Sequence, residues 1–233
     1  MKTIQLKLYE FAELEQQAQQ KAIEAHRYIN VSHDWWDFIC YDLMQIAETL
    51  GITIKKESIH FQGFYSQGDG SAFDAEIDLP KLLDAVKTQN WRSYAPQLEL
   101  NLTLPEIDRR VYRLIKDSQL DIDPKIIQPA RGYYVNVELN DNLPYSHHGY
   151  PLIEKQLDIL ENGLQAVANA LNRYLYRSLQ NEYEGSIEDQ AVTEAIEANE
   201  YWFTEDGQIA TRLESLSFKN SLEMPKGHRN IKS

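Results

Sequence analysis

The sequence predicts an α+β fold: a mainly antiparallel sheet packed by helices, with one long helix in the C-terminal half. Three observations carry that expectation. Apolar and polar residues alternate around Leu6 and again around Val137; two apolar runs flank a Gly-rich connection between Phe61 and Ala72; and leucines recur at helical spacing from Leu157 to Leu179. The 42% of hydrophobic residues, 14 Tyr and 4 Trp among them, supply enough apolar surface to offset chain entropy over 233 residues, which excludes global disorder.

Taken in order, Ile4, Leu6 and Leu8 alternate with polar neighbours, so the chain opens in a strand with one buried face. Residues 13 to 28 are rich in Ala, Gln, Glu and Lys, with a thin apolar stripe at Leu14, Ala18, Ala22 and Ala25, and read as a half-exposed helix. Asp34 is placed to cap a second helix through Trp35, Phe38, Ile39, Leu43, Ile46, Ala47 and Leu50, which Gly51 ends. Residues 52–61 and 72–79 form two antiparallel strands, Pro80 opens a short helix, and residues 106–116 form another after Pro105. Tyr133, Val135, Val137 and Leu139 mark a strand ahead of a loop over 140–151. The long helix runs from Leu152 to about Tyr183, and Ser186 with Asp189 resembles a capping box opening a helix to about Asn199. A small hairpin follows around Glu205-Asp206-Gly207. With no Pro/Gly/Ser-rich linker, residues 1–213 are expected to form a single domain, and residues 214–233 a basic, flexible tail.

Composition narrows the function. The 36 acidic and 23 basic residues give a net charge of −13, which argues against a general phosphate-binding surface and makes direct nucleic-acid binding an unfavoured expectation. Charge is uneven: residues 152–210 hold 12 acids and 3 bases, whereas residues 211–233 hold 2 acids and 5 bases. Such an acidic body serves solubility, or steers the protein towards a partner that itself binds nucleic acid. No run approaches the roughly 18 apolar residues of a membrane span, and the first residues carry no apolar signal core, so no membrane partner and a cytoplasmic location are expected. A single cysteine, Cys40, forms no internal disulfide and falls within an apolar helical pattern, as an inert buried thiol does.

The most distinctive segment is Phe61-Gln62-Gly63-Phe64-Tyr65-Ser66-Gln67-Gly68-Asp69-Gly70. Its glycines permit positive φ, and Ser66, Gln67 and Asp69 can bond either their own backbone or a ligand. The basic residue of a phosphate-binding loop and the spacing of a dinucleotide fingerprint are both absent. His147 and His148, being adjacent, make a poor chelate, and no metal, cofactor or catalytic set is expected; a small-ligand enzyme would require Asp69 or Asp74 to reach one of these histidines in a cleft. Trp35 and Trp36 diverge by about 100° on a helix, so one of them can be left for a partner.

The opening with Asp34-Trp35-Trp36-Asp37, the segment from Phe61 to Gly70, and the ending from Tyr183-Glu184 through Phe203-Thr204-Glu205-Asp206-Gly207 resemble a family of small bacteriophage, prophage and plasmid proteins. That family is often labelled as an antitoxin of a toxin-antitoxin stability system. The resemblance covers most of residues 1–210, leaving out 91–131 and the basic tail. It implies an accessory protein of a mobile element, acting inside a bacterial host by binding another protein: an inhibitor of a host defence complex such as a CRISPR effector or nuclease (an anti-CRISPR or similar anti-defence role), or an antitoxin neutralising a toxin. The contact residues expected for that role are Trp36, Phe64, Tyr65, Gln67 and Asp69, with the acids Glu182, Glu184, Glu188 and Asp189. A third reading, DNA binding as an autoregulator, would rest on the family label and the tail cations Lys219, Lys226, Arg229 and Lys232.

Overall fold

The computed structural model describes residues 5–93, 102–142, 149–210 and 229–232. In chain order the elements are β1 (Gln5–Glu10), α1 (Gln16–Ala25), α2 (Asp37–Thr49), β2 (Ile52–Ile54), β3 (His60–Gln62), β4 (Gly70–Ala72), β5 (Ala75–Ile77), α3 (Leu79–Thr88), α4 (Arg109–Lys116), β6 (Ile122–Ile127), β7 (Asn136–Asp141), α5 (Tyr150–Ser186), α6 (Asp189–Ala198), β8 (Trp202–Phe203) and β9 (Arg229–Lys232). All strand pairs among the described residues are antiparallel, so the fold is the α+β arrangement expected, with α5 as its long C-terminal-half helix. Packing divides the chain into two compact units, residues 36–180 and residues 1–35 with 181–233. The sequence gives no sign of this division, because its boundaries fall between two adjacent tryptophans and inside a continuous helix, neither of which has the composition of a linker.

In the unit formed by the two chain ends, β1 lies between β8 and β9. Its core joins Phe11, Leu14, Ala18, Ala22 and Ile23 from the N-terminal segment to Val192, Ile196 and Phe203 from the C-terminal one. The rings of Phe11 and Phe203 meet edge to face at 6.2 Å. Trp202 and Ile209 belong to the expected hairpin, closed by Ala210 N donating to Trp202 O at 2.7 Å and Thr204 N to Gln208 O at 2.9 Å. Gly207, at φ +83°, turns that hairpin directly against the α1 backbone, where a Cβ would overlap the carbonyl of Ala18. Asn30 donates to both Ser186 O and Ala191 O at 3.1 Å, tying the end of α5 to α6. Ser186 is the last residue of α5 rather than a cap, and α6 starts after Glu188 with no side-chain cap. Of the segment read as a flexible tail, β9 pairs along β1 from Gln5↔Lys232 to Leu8↔Arg229, and Lys219 and Lys226 lie outside the described residues.

In the unit of residues 36–180, the two central runs form nested hairpins instead of two unbroken strands. The inner ladder joins β3 to β4, the outer one β2 to β5. Between them Ser58 stitches the break: its Oγ accepts from Asp74 N and donates towards Asp74 O, both at 3.1 Å. β6 and β7 extend the outer ladder into a four-stranded sheet of order β2-β5-β6-β7. Asp78 caps α3 by accepting from Lys81 N at 3.0 Å, with Pro80 in the first turn as expected. α2 begins at Asp37, after a turn in which Trp35 N donates to His33 O at 2.7 Å, so Asp34 caps nothing; Phe38 lies one position off the stripe of Ile39, Leu43, Ile46 and Leu50 and is 53% exposed.

α5 runs beside the outer edge of β7 and bonds it with side chains. Gln165 accepts from Val137 N at 2.8 Å and donates to Val135 O at 2.9 Å, and Glu161 accepts from Leu139 N at 3.3 Å. Two turns further along α5, Asn172 holds β4: its amide donates to Ser71 O, and its carbonyl accepts from Ser71 Oγ, both at 2.7 Å. Ser71 is 1% exposed, and its hydroxyl also reaches Asn172 O at 3.2 Å, so its buried polar groups are satisfied from α5.

Candidate partner-binding surface

The loop between β3 and β4 is built by its own acid. Asp69 accepts from Tyr65 N at 2.9 Å and from Ser66 N at 2.7 Å, while Asp69 N donates to Ser66 O at 3.1 Å. Two charge-assisted bonds to backbone donors close the turn. Gly63, at φ +49°, lets the carboxylate come so close that a Cβ would overlap it. Tyr176, on α5, donates its hydroxyl to Gly63 O at 3.2 Å. Burial, followed by the nearby negative charge of Asp69, raises the Tyr176 phenol above its ordinary range, so it remains a donor at neutral pH.

Aromatic rings continue the same scaffold. Trp36 meets Phe61 edge to face at 5.5 Å, Phe61 stacks on Phe64 at 6.2 Å, and Phe64 touches Tyr176 at 5.6 Å and Tyr65 at 6.4 Å. Trp36, Phe61, Phe64 and Tyr176 are half-buried, and Tyr65 at the loop tip is 69% exposed beside exposed Ser66 and Gln67. The expected contact residues Trp36, Phe64, Tyr65, Gln67 and Asp69 therefore come together in this unit. Asp69 supports the surface from behind. Phe61 and Tyr176 were not expected: Phe61 reads as ordinary strand, and Tyr176 as one more residue of an amphipathic helix, since no local pattern reveals a contact 113 positions away.

The acidic residues Glu182, Glu184, Glu188 and Asp189 belong to the other unit, at the junction of α5 and α6. Asp189 is engaged there by Arg27, which also bonds Glu24 at 2.8 Å and donates to Ile187 O at 3.0 Å. The hydrogen bond from Arg27 holds the Asp189 carboxyl below the usual carboxylate range. Glu188 is exposed at the start of α6, and Glu182 is half-buried. Trp35 also lies in this unit, its ring 5.9 Å from that of Tyr183.

His147 and His148 lie outside the described residues. Asp74 accepts from Gln128 N at 2.7 Å and thereby holds the chain where it leaves β6. Cys40 is buried, and that burial, with the charge of Asp37, raises its thiol above the ordinary range, as befits an unreactive group. Among the described residues no three His, Cys, Asp or Glu side chains are grouped to hold a metal ion, and no helix is long and apolar enough to cross a membrane.

Comparison with known proteins finds no matching curated protein and no matching solved structure. One family model matches residues 35–189, from the tryptophan pair to the start of α6, and so takes in the whole aromatic loop. The chain thus belongs to the family described as domain of unknown function DUF8835.

Proposed function

We propose that this protein acts by binding another protein, as a mobile-element inhibitor whose target is a host defence complex that handles nucleic acid. The observation that carries the reading is the loop from Phe61 to Gly70, whose backbone is held by Asp69 and whose exposed Tyr65 stands on a base of half-buried rings. A recognition side chain on a preformed loop loses little conformational entropy on docking, and exposed tyrosines of this kind anchor interfaces. The net charge of −13, with exposed acids such as Glu188, suits a partner whose own surface is basic. The resemblance of Asp34–Asp37 and Phe61–Gly70 to proteins of mobile elements supports the same role.

The test is affinity capture of the tagged full chain from a nuclease-treated host lysate carrying native defence systems, at low and moderate salt, read by mass spectrometry. Stoichiometric recovery of a nucleic-acid-binding effector, lost with Tyr65→Ala and weakened by salt and by Glu188→Lys, is the expected result. Recovery of one small toxin instead would replace this reading with the antitoxin one. Recovery unaffected by Tyr65→Ala would remove the loop from the interface.

A further inference from the structure

A second concave site lies in the unit of residues 36–180, away from the aromatic loop. Cavities of about 300 to 1,000 Å³ are typical of small-ligand sites, and this one, between α3, α4 and the segment 102–107, measures about 660 Å³. Leu83, Val86 and Leu102 line it, and each is more than nine-tenths buried from solvent. Two cations stand on its rim: Lys87, whose ammonium is 6.0 Å from the Tyr112 ring centre, and Arg109 at the start of α4.

These two cations are available in a way their neighbours are not. Arg110 is held by Asp108 at 3.0 Å, and Lys116 by Asp84 at 2.9 Å, whereas neither Lys87 nor Arg109 has a carboxylate partner among the described residues. Apolar walls beneath two unneutralised cations, in a chain of net charge −13, favour a ligand with an apolar body and an anionic end. Glu106 lines the same cavity and repels a second negative group, which sets polyphosphates against the site. We propose that this cavity binds a small amphiphilic monoanion, with its carboxylate, sulfonate or phosphate-diester group at Lys87 and Arg109 and its hydrocarbon body against Leu83, Val86 and Leu102.

The probe is 1-anilinonaphthalene-8-sulfonate, titrated by fluorescence into the full chain at low salt, with N-phenyl-1-naphthylamine as its uncharged counterpart. Saturable 1:1 binding of the sulfonate is expected. The double variant Lys87→Gln/Arg109→Gln should weaken it about tenfold, and Glu106→Gln should tighten it about two- to threefold, with binding of the uncharged probe unchanged by either. The three side chains changed, Lys87, Glu106 and Arg109, are exposed, and circular dichroism checks the fold of each variant. Dodecanoate, a carboxylate with a hydrocarbon body, is expected to displace the sulfonate. Absence of saturable sulfonate binding, or sulfonate affinity that stays within twofold when both cations are removed, would overturn the proposal.

Discussion

Asp69 and Asp189 are both acids that the sequence offers to a partner, and both are engaged within the fold, in different ways. Asp69 accepts two backbone N–H groups inside one turn, so its bonds define the path of the chain from Tyr65 to Gly70. Asp189 meets a side chain, Arg27, whose guanidinium also serves Glu24 and Ile187 O, so its bond joins the turn after α1 to the start of α6, which other contacts already hold together. An acid bonded to backbone shapes a surface; an acid bonded to a long side chain adds a salt-sensitive clip to one. In neither region is the flagged acid the group most open to a partner. That part falls to its neighbours, Tyr65 and Gln67 in the loop and Glu188 at the helix junction.

The comparison can be broken most severely by removing what anchors the loop strand. Asn172→Ala removes the amide that Ser71 O accepts from and the nearer acceptor of the buried Ser71 hydroxyl, which keeps only Asn172 O at 3.2 Å, and is expected to lower stability by about 1–2 kcal/mol in urea unfolding. Asp69→Ala should cost about 2 kcal/mol of local order, seen as faster amide exchange at Tyr65 and Ser66 and little elsewhere. If exchange quickens across β3 and β4 as well, the turn and its ladder melt together. Tyr176→Phe removes the bond to Gly63 O and should cost about 1 kcal/mol. Because the Tyr176 pKa is raised in the folded protein, its contribution is full below the unfolded value near 10 and is lost as pH rises through the higher folded value. In a pH series of unfolding curves, the gap between wild type and Tyr176→Phe should therefore close only above about pH 10.

The smallest effect belongs to Asp189→Asn. It should lower Tm by on the order of 1–2 °C at low salt and by less at about 1 M salt. Its folded pKa is lowered, so the stabilisation is present above the ordinary carboxylate value of about 3.9 and disappears as pH falls through the folded value. Equal effects of Asp69→Ala and Asp189→Asn on loop exchange would erase the contrast between the two acids.

Periodic elements were legible in the sequence wherever one face is buried: the stripe from Leu157 to Leu179 and the alternation around Val137 both lie where expected. β6 was not, because Pro124 and the charged Asp123 and Lys125 interrupt the pattern of a strand. Pro124 is tolerated because it faces Leu139, whose N–H bonds Glu161 instead of β6, so this pair exchanges no ladder hydrogen bonds and needs no donor from the proline. Helix starts at Asp34 and Ser186 were misplaced for a related reason: capping residues signal a start only when the chain has no better use for that stretch, and here it forms a turn at Trp35 and continues α5 at Ser186. The loop was legible as a site but its base was not. Phe61 and Tyr176 are joined to it by tertiary contact alone.

The side chains of Gln165 and Glu161 that meet β7 decide something about the company this protein keeps with itself. An unpaired outer strand offers a row of donors and acceptors on which another copy can add its own strand, and sheets grow into fibres by that route. Here Val135 O, Val137 N and Leu139 N are already occupied by a helix, which has no second edge to pass on. A strand added on that side would first have to displace these three bonds, so edge-to-edge pairing between copies of the chain is disfavoured there.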